Sequence, residues 1–158
     1  MKNMLISVLS LLCLLTASAC GGQADASPDQ TDAQDPGNPV GVTMTAEDIT
    51  PTGLTLVLTQ SGGSPTGELS TGSLFVLDVL VDGEWQPAET LMPYDELAWT
   101  MEAYTIPANG STEMETQWSH LYGELAPGSY RISKEIHDLR SPGDYDAYTC
   151  YTCFEITE

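Results

Sequence analysis

The chain has 158 residues and a formal charge of −19, with 4 Lys and Arg against 23 Asp and Glu. Nucleic-acid binding needs a basic footprint, so that class of function is excluded, and so is electrostatic attraction to an anionic lipid surface. The plainest reading of such a charge is a solvated exterior surface; it also attracts cations and basic partners.

The N-terminus reads as an export signal. Lys2 supplies the positive end, and Leu5 to Leu15 is an apolar run broken by serines and Cys13. Those eleven residues span about 16 Å as a helix, too short for a bilayer core of about 30 Å. The small residues Ala17-Ser18-Ala19 precede Cys20-Gly21-Gly22. Read alone, Ala-x-Ala is an ordinary signal-peptidase site. With Cys20 it resembles a bacterial lipobox, although Ala17 stands where a Leu is usual. We therefore expect residues 1–19 to be a lipoprotein signal peptide and Cys20 to be the lipidated first residue of the mature chain. Cleavage there also removes Lys2 and makes the chain more acidic by one charge.

From Gly21 to Pro39 no Val, Ile, Leu, Met or aromatic residue occurs. Such a stretch cannot bury enough apolar area to offset the entropy of ordering it, so residues 20–39 are expected to form a lipidated, disordered acidic tether. Nineteen flexible residues reach about 24 Å. The expected location is the extracytoplasmic side of the cell membrane, with the bilayer as partner through Cys20.

Residues 40–158 read as one folded domain. Val40, Val42, Met44 and Ala46 alternate with Gly and polar residues, the period of a half-buried strand. Thr50-Pro51-Thr52-Gly53 turns into a second strand carrying Leu54, Leu56 and Leu58. Ser61 to Gly72 reads as a loop, and Ser73 to Val81 as the most buried strand. Asp82-Gly83 is a hairpin signal leading to Trp85. Leu91 to Glu96 is irregular. Strands are then expected over Trp99 to Ile106 and, after Asn109-Gly110, over Thr112 to Trp118. Next, Leu125-Ala126-Pro127-Gly128 turns into an alternating strand. Tyr130, Ile132 and Ile136 lie on one face, and Arg131, Ser133, Glu135 and His137 on the other. A turn at Ser141 to Asp144 and a strand from Tyr148 to Thr157 close the domain. Seven to eight short strands without an amphipathic helix predict an all-β fold, an immunoglobulin-like antiparallel β-sandwich.

Lys134 falls on the apolar face between Ile132 and Ile136. An unpaired ammonium there costs several kcal/mol, roughly, so a carboxylate partner is expected. Tyr130, just past the Pro-Gly turn, is placed as a tyrosine corner. Its hydroxyl is expected on backbone near Tyr122 to Glu124.

The string Trp118…Leu121-Tyr122-Gly123-Glu124-Leu125-x-Pro127-Gly128-x-Tyr130-Arg131-Ile132-x-Lys134 resembles the signature of a bacterial immunoglobulin-like domain. Such domains are common in small exported proteins and lipoproteins of Gram-positive gut bacteria. Thr50 to Leu54 and Asp82-Gly83-x-Trp85 resemble its earlier landmarks. The resemblance implies an exported sandwich and brings no settled activity or catalytic residues, so no site is carried over from it; no cofactor or metal is expected. Trp118, Tyr122, Tyr130 and Lys134 are read as structural residues.

Cys150 and Cys153 form a Cys-x-x-Cys within a stretch that reads as strand. Across three strand residues the Cα atoms lie about 10 Å apart, against roughly 4.4–6.8 Å for a disulfide. Either a bulge or turn breaks the strand there, or both thiols are free; an envelope thiol protein acting through this pair is the alternative function. His120 and His137 with the two cysteines make four zinc-ligand types, but the histidines are seventeen apart, too far for a paired site. Asp138, Asp144 and Asp146 lack the loop that calcium requires and read as a solvated acidic loop. Trp85, Trp99 and Trp118 would make a carbohydrate platform if exposed together; core packing is the plainer reading. The function expected is a non-catalytic binding module for a protein or carbohydrate ligand, or else a structural spacer.

Overall fold

The computed structural model describes residues 38–93, 96 and 99–158. The signal, Cys20 and nearly all of the tether lie outside them. Among the described residues, nine strands form two antiparallel sheets. The first contains β1 (Val42–Thr50), β2 (Gly53–Gln60) and β7 (Ser111–Gln117), in the order β1-β2-β7. The second contains β3 (Glu68–Gly72), β4 (Val76–Val81), β5 (Glu84–Pro87), β6 (Ala103–Ile106), β8 (Gly128–Ser141) and β9 (Asp144–Ile156). A single helical turn, α1 (Ser119–Tyr122), links β7 to the corner before β8.

The long β8–β9 hairpin is the spine of the second sheet. Its register runs unbroken from Gly128 opposite Ile156 to Leu139 opposite Tyr145. Every second residue of β8 from Tyr130 to Asp138 is buried, so the alternation read from the sequence holds, Lys134 included. Leu54, Leu56 and Leu58 of β2 meet this face from the opposite sheet, and β2, not β4, is the most buried strand.

Two expectations change here. The segment read as a loop up to Gly72 contains β3, and the strand expected from Ser73 to Val81 begins only at Val76. Both follow from one irregularity. β3 and β4 lie in line along the same edge of β8, with Thr71 opposite Ile136 and Val76 opposite Ser133. Four residues, 72–75, therefore face two, 134 and 135, a large bulge within one long strand. Counted as one, β3 and β4 bring the total to the eight expected. At Asp82-Gly83 both φ angles are positive, 53° and 83°, the hairpin geometry that this dipeptide favours.

The lateral edges of the sandwich differ. On one, β1 packs along β9, and Asn38 donates hydrogen bonds to the Val42 carbonyl (2.9 Å) and to Cys150 Sγ (2.8 Å). On the other, β6 and β7 are joined through the turn at Asn109, pinned where Gln60 Oε1 accepts the Asn109 N–H at 2.7 Å. Away from that turn the two sheets part.

Candidate functional site

The four structural residues hold the corner and the bulge. Trp118 is fully buried, donates its indole N–H to the Pro51 carbonyl (2.9 Å) and lies against Phe154 with ring centres 5.6 Å apart. Tyr122 is buried, and its hydroxyl accepts the Leu77 N–H at 3.3 Å, fixing the start of β4; burial pushes its phenol above the ordinary range. Tyr130 is buried as expected, but its hydroxyl donates to the Ala126 carbonyl (2.9 Å) instead of backbone at Tyr122 to Glu124. The Pro127-Gly128 turn folds Ala126 back over the ring, putting the nearer carbonyl in reach. Because Ala126 is exposed, its carbonyl regains water when the donor is lost. We expect Tyr130→Phe to cost about 0.5–1 kcal/mol by urea unfolding; a loss several times larger would mean the hydroxyl anchors more than this carbonyl.

Lys134 corrects a second expectation. It is 2% exposed, and no carboxylate among the described residues pairs with it. Its ammonium donates instead to the Gly72 (2.7 Å) and Leu74 (2.9 Å) carbonyls. Those are carbonyls of the bulge, which the mismatch takes out of the ladder, so the lysine supplies the donors that β8 backbone cannot. The register is right and the partner is backbone.

The thiol pair lies in an unbroken strand. Cys150 is buried on the inner face and Cys153 is half-buried on the outer, so the two are not bonded to each other. Burial pushes the Cys153 thiol up, against the pull of the Arg131 charge, the opposite of what a reactive thiolate requires. His137 lies on the outer face 2.6 Å from Glu135, and His120 lies on α1, so the structure does not bring the histidines and cysteines together. Asp138 is not part of a solvated loop. It is 1% exposed, and it accepts hydrogen bonds from Thr66 N–H (2.7 Å), Thr66 Oγ1 (2.9 Å) and Gly67 N–H. Burial raises its carboxyl, but these bonds outweigh it and hold the group below the usual range. Asp144 and Asp146 instead grip Arg140, each at 2.7 Å.

The three tryptophans are scattered: Trp118 in the core, Trp85 on the outer face of the second sheet, and Trp99 where the sheets part. At Trp85, Arg131 lies between two rings, its guanidinium carbon 5.0 Å from Trp85 and 5.3 Å from Tyr151. The same guanidinium bonds Asp78 at 2.7 Å. Every cation of the folded domain is thus engaged within it: Arg131 by Asp78, Lys134 by carbonyls, Arg140 by two aspartates.

Trp99 opens the strongest candidate site. Where β6 and β7 part, a groove of about 180 Å³ is walled by Phe75, Trp99, Glu102, Tyr104, Thr116 and His120, among others. Trp99 meets Phe75 edge to face at 5.4 Å. Glu102 accepts the Tyr104 hydroxyl at 3.1 Å and that of Thr100 at 3.3 Å. Its hydrogen bond, with its charge, holds the Tyr104 phenol above the ordinary range. Thr116 is 5% exposed, and its Oγ1 is the one buried side-chain polar atom among the described residues with no hydrogen-bond partner. A buried hydroxyl without a partner costs about 1–3 kcal/mol. Of these residues only Trp99, as part of a carbohydrate platform, and His120, as a zinc ligand, were weighed for binding from sequence. Thr116 left a signal, a polar residue between Met114 and Trp118 on a buried face. A wider hollow of about 480 Å³ beside Glu113 and Glu115 has no aromatic wall.

Comparison with known proteins agrees with this architecture. No curated protein and no solved structure matches the chain. The family of the bacterial Ig-like domain matches residues 38–155, from the Asn38 that closes the β1–β9 edge to the end of β9. With a match that spans both sheets, the corner and the groove, the chain belongs to the bacterial Ig-like domain family.

Proposed function

We propose that this protein is a lipid-anchored, extracytoplasmic, non-catalytic binding module whose contact surface is the groove between β6 and β7. The observation that carries the reading is the aromatic and acidic wall of that groove, with Trp99, Tyr104 and Glu102. An Ig-like sandwich is a rigid frame on which such a surface is held. The acidic exterior, with its cations engaged internally, supports a basic or neutral partner. The signal pattern and apolar-free tether support an anchor at Cys20 that holds the domain off the cell membrane. The thiol alternative has no support from the raised Cys153.

Two measurements test this. Cys20→Ser is expected to release the protein from the membrane fraction into the medium; retention would refute the anchor. A photo-crosslinking residue at position 100, at the rim of the groove, on intact cells should capture a discrete partner that the same residue at position 82, on the β4–β5 hairpin, does not. Equal capture at both positions, or none, would leave the module a spacer.

A further inference from the structure

We infer that the free edge of β7 receives an extended, basic partner segment as an added strand of the first sheet. The inference rests on the groove between β6 and β7 being the contact surface, and names the form and chemistry of what docks there.

The register decides which way the backbone of β7 points. Gln60 N–H donates to the Gly110 carbonyl and Trp118 N–H to the Thr52 carbonyl, both at 2.9 Å. Bonded pairs of an antiparallel ladder recur at every second residue, so Thr112, Met114 and Thr116 turn their N–H and C=O groups to β2. Glu113, Glu115 and Gln117 turn theirs the other way. β7 is the last strand of its sheet, and no described residue bonds those backbone groups. Near its start the edge is closed by β6, where the Thr112 hydroxyl donates to the Thr105 carbonyl at 2.6 Å. Beyond that point the sheets part. A row of unpaired backbone donors and acceptors is a template for another strand.

Side chains say which strand fits. Residues directly opposite one another share a face of a sheet. Those opposite Glu113 and Glu115 would lie on the outer face, beside two exposed carboxylates that no described cation pairs with. A hollow of about 480 Å³ on that face is lined by both, together with Asp48. Those opposite Met114 and Thr116 would turn inward, toward the groove of about 180 Å³ walled by Phe75 and Tyr104 among others. The segment that fits therefore alternates basic residues with apolar ones. A second copy of this chain does not fit. Two β7 edges side by side would set Glu113 and Glu115 against their own copies, and like charges facing each other across strands destabilise the pair. Each chain also carries −19, and each cation of the domain is already tied internally.

The test uses the full-length protein purified in detergent. The probe is a capped peptide as long as β7, seven residues, alternating arginine with valine. The readout is hydrogen exchange at single backbone amides. In the free protein Thr112, Met114 and Thr116 should exchange slowly, and Glu113, Glu115 and Gln117 fast. Peptide at about ten times its Kd should slow the second set about tenfold, with an affinity that falls as salt is added. The same peptide N-methylated throughout keeps its charge but has no backbone donors, and should give no protection. Glu113→Gln and Glu115→Gln together should weaken the arginine peptide about tenfold, the size of two exposed ion pairs. A threonine–valine peptide that protects as well as the arginine peptide would overturn the basic partner. Protection that grows with protein concentration and needs no peptide would overturn it in favour of a second copy. Resonance shifts at Glu102 and Tyr104 without slower exchange in β7 would overturn the added strand and leave the groove as the contact surface. No effect of any peptide would overturn the added strand; with no capture at position 100 on cells, the groove reading falls as well.

Discussion

Trp118→Ala will lower the unfolding free energy by about 3–5 kcal/mol, the range for deleting a large buried aromatic side chain. Trp118 has no exposed surface, lies against Phe154, and ties the corner to the first turn through Pro51 and, by its own N–H, through Thr52. Small domains are stable by only about 5–15 kcal/mol, so the variant should be partly unfolded at 37 °C. Trp118→Phe separates volume from hydrogen bonding. The Pro51 carbonyl also accepts the Leu125 N–H at 2.9 Å, so it is not stranded when the indole is lost. The Phe variant should therefore cost about 1–2 kcal/mol, mostly from lost packing. Urea midpoints would measure both. A Phe variant as unstable as the Ala variant would show that the indole bond, and not the packing, holds the corner.

Stability should rise with pH between about 7.5 and 9.5, by about 2 kcal/mol, through Lys134. Burial lowers its pKa to about 8, from 10.5 in the unfolded chain. Below pH 8 the ammonium is charged in both states and the folded state carries the cost of burying it. Between the two values the unfolded chain holds the proton more often, so raising pH favours folding. Other groups act in the opposite direction. Burial keeps the Cys153 thiol and the Tyr122 and Tyr130 phenols protonated in the fold, so their ionisation favours unfolding as pH rises. The difference between wild type and Lys134→Met isolates the lysine: the variant should lack the rise. Parallel profiles would show that Lys134 reaches water in solution.

The anchoring expectation rests on sequence chemistry alone, in the small residues before Cys20 and the apolar-free tether after it. The fold was legible for a related reason. A period of two in β1, β2, β8 and β9 states which face of each strand is buried, because a pleated strand sends alternate side chains to opposite sides. Turn chemistry at Asp82-Gly83, Asn109-Gly110 and Ser141 to Asp144 placed the hairpins, since those residues accept the backbone angles that a reversal requires. For Cys150 and Cys153 the local geometry left a choice between a broken strand and two unlinked thiols; the strand is unbroken, and its odd spacing sends the two sulfurs apart.

Non-local contacts decided the rest. Lys134 was placed on the right face, but its partners are carbonyls 62 and 60 residues earlier in the chain, exposed by a bulge that no local pattern marks. Asp138 looked like part of a solvated turn until Thr66 and Gly67, 72 and 71 residues away, filled its acceptor sites. The groove is the extreme case. Phe75, Trp99, Glu102, Tyr104 and Thr116 come from three separate segments, and they meet only because β1 closes on β9 at one edge while β6 and β7 part at the other. Side-chain alternation is a property of one strand and is written in its residues. Which edge of a sandwich stays open depends on the packing of two sheets, and only the tertiary structure holds that information.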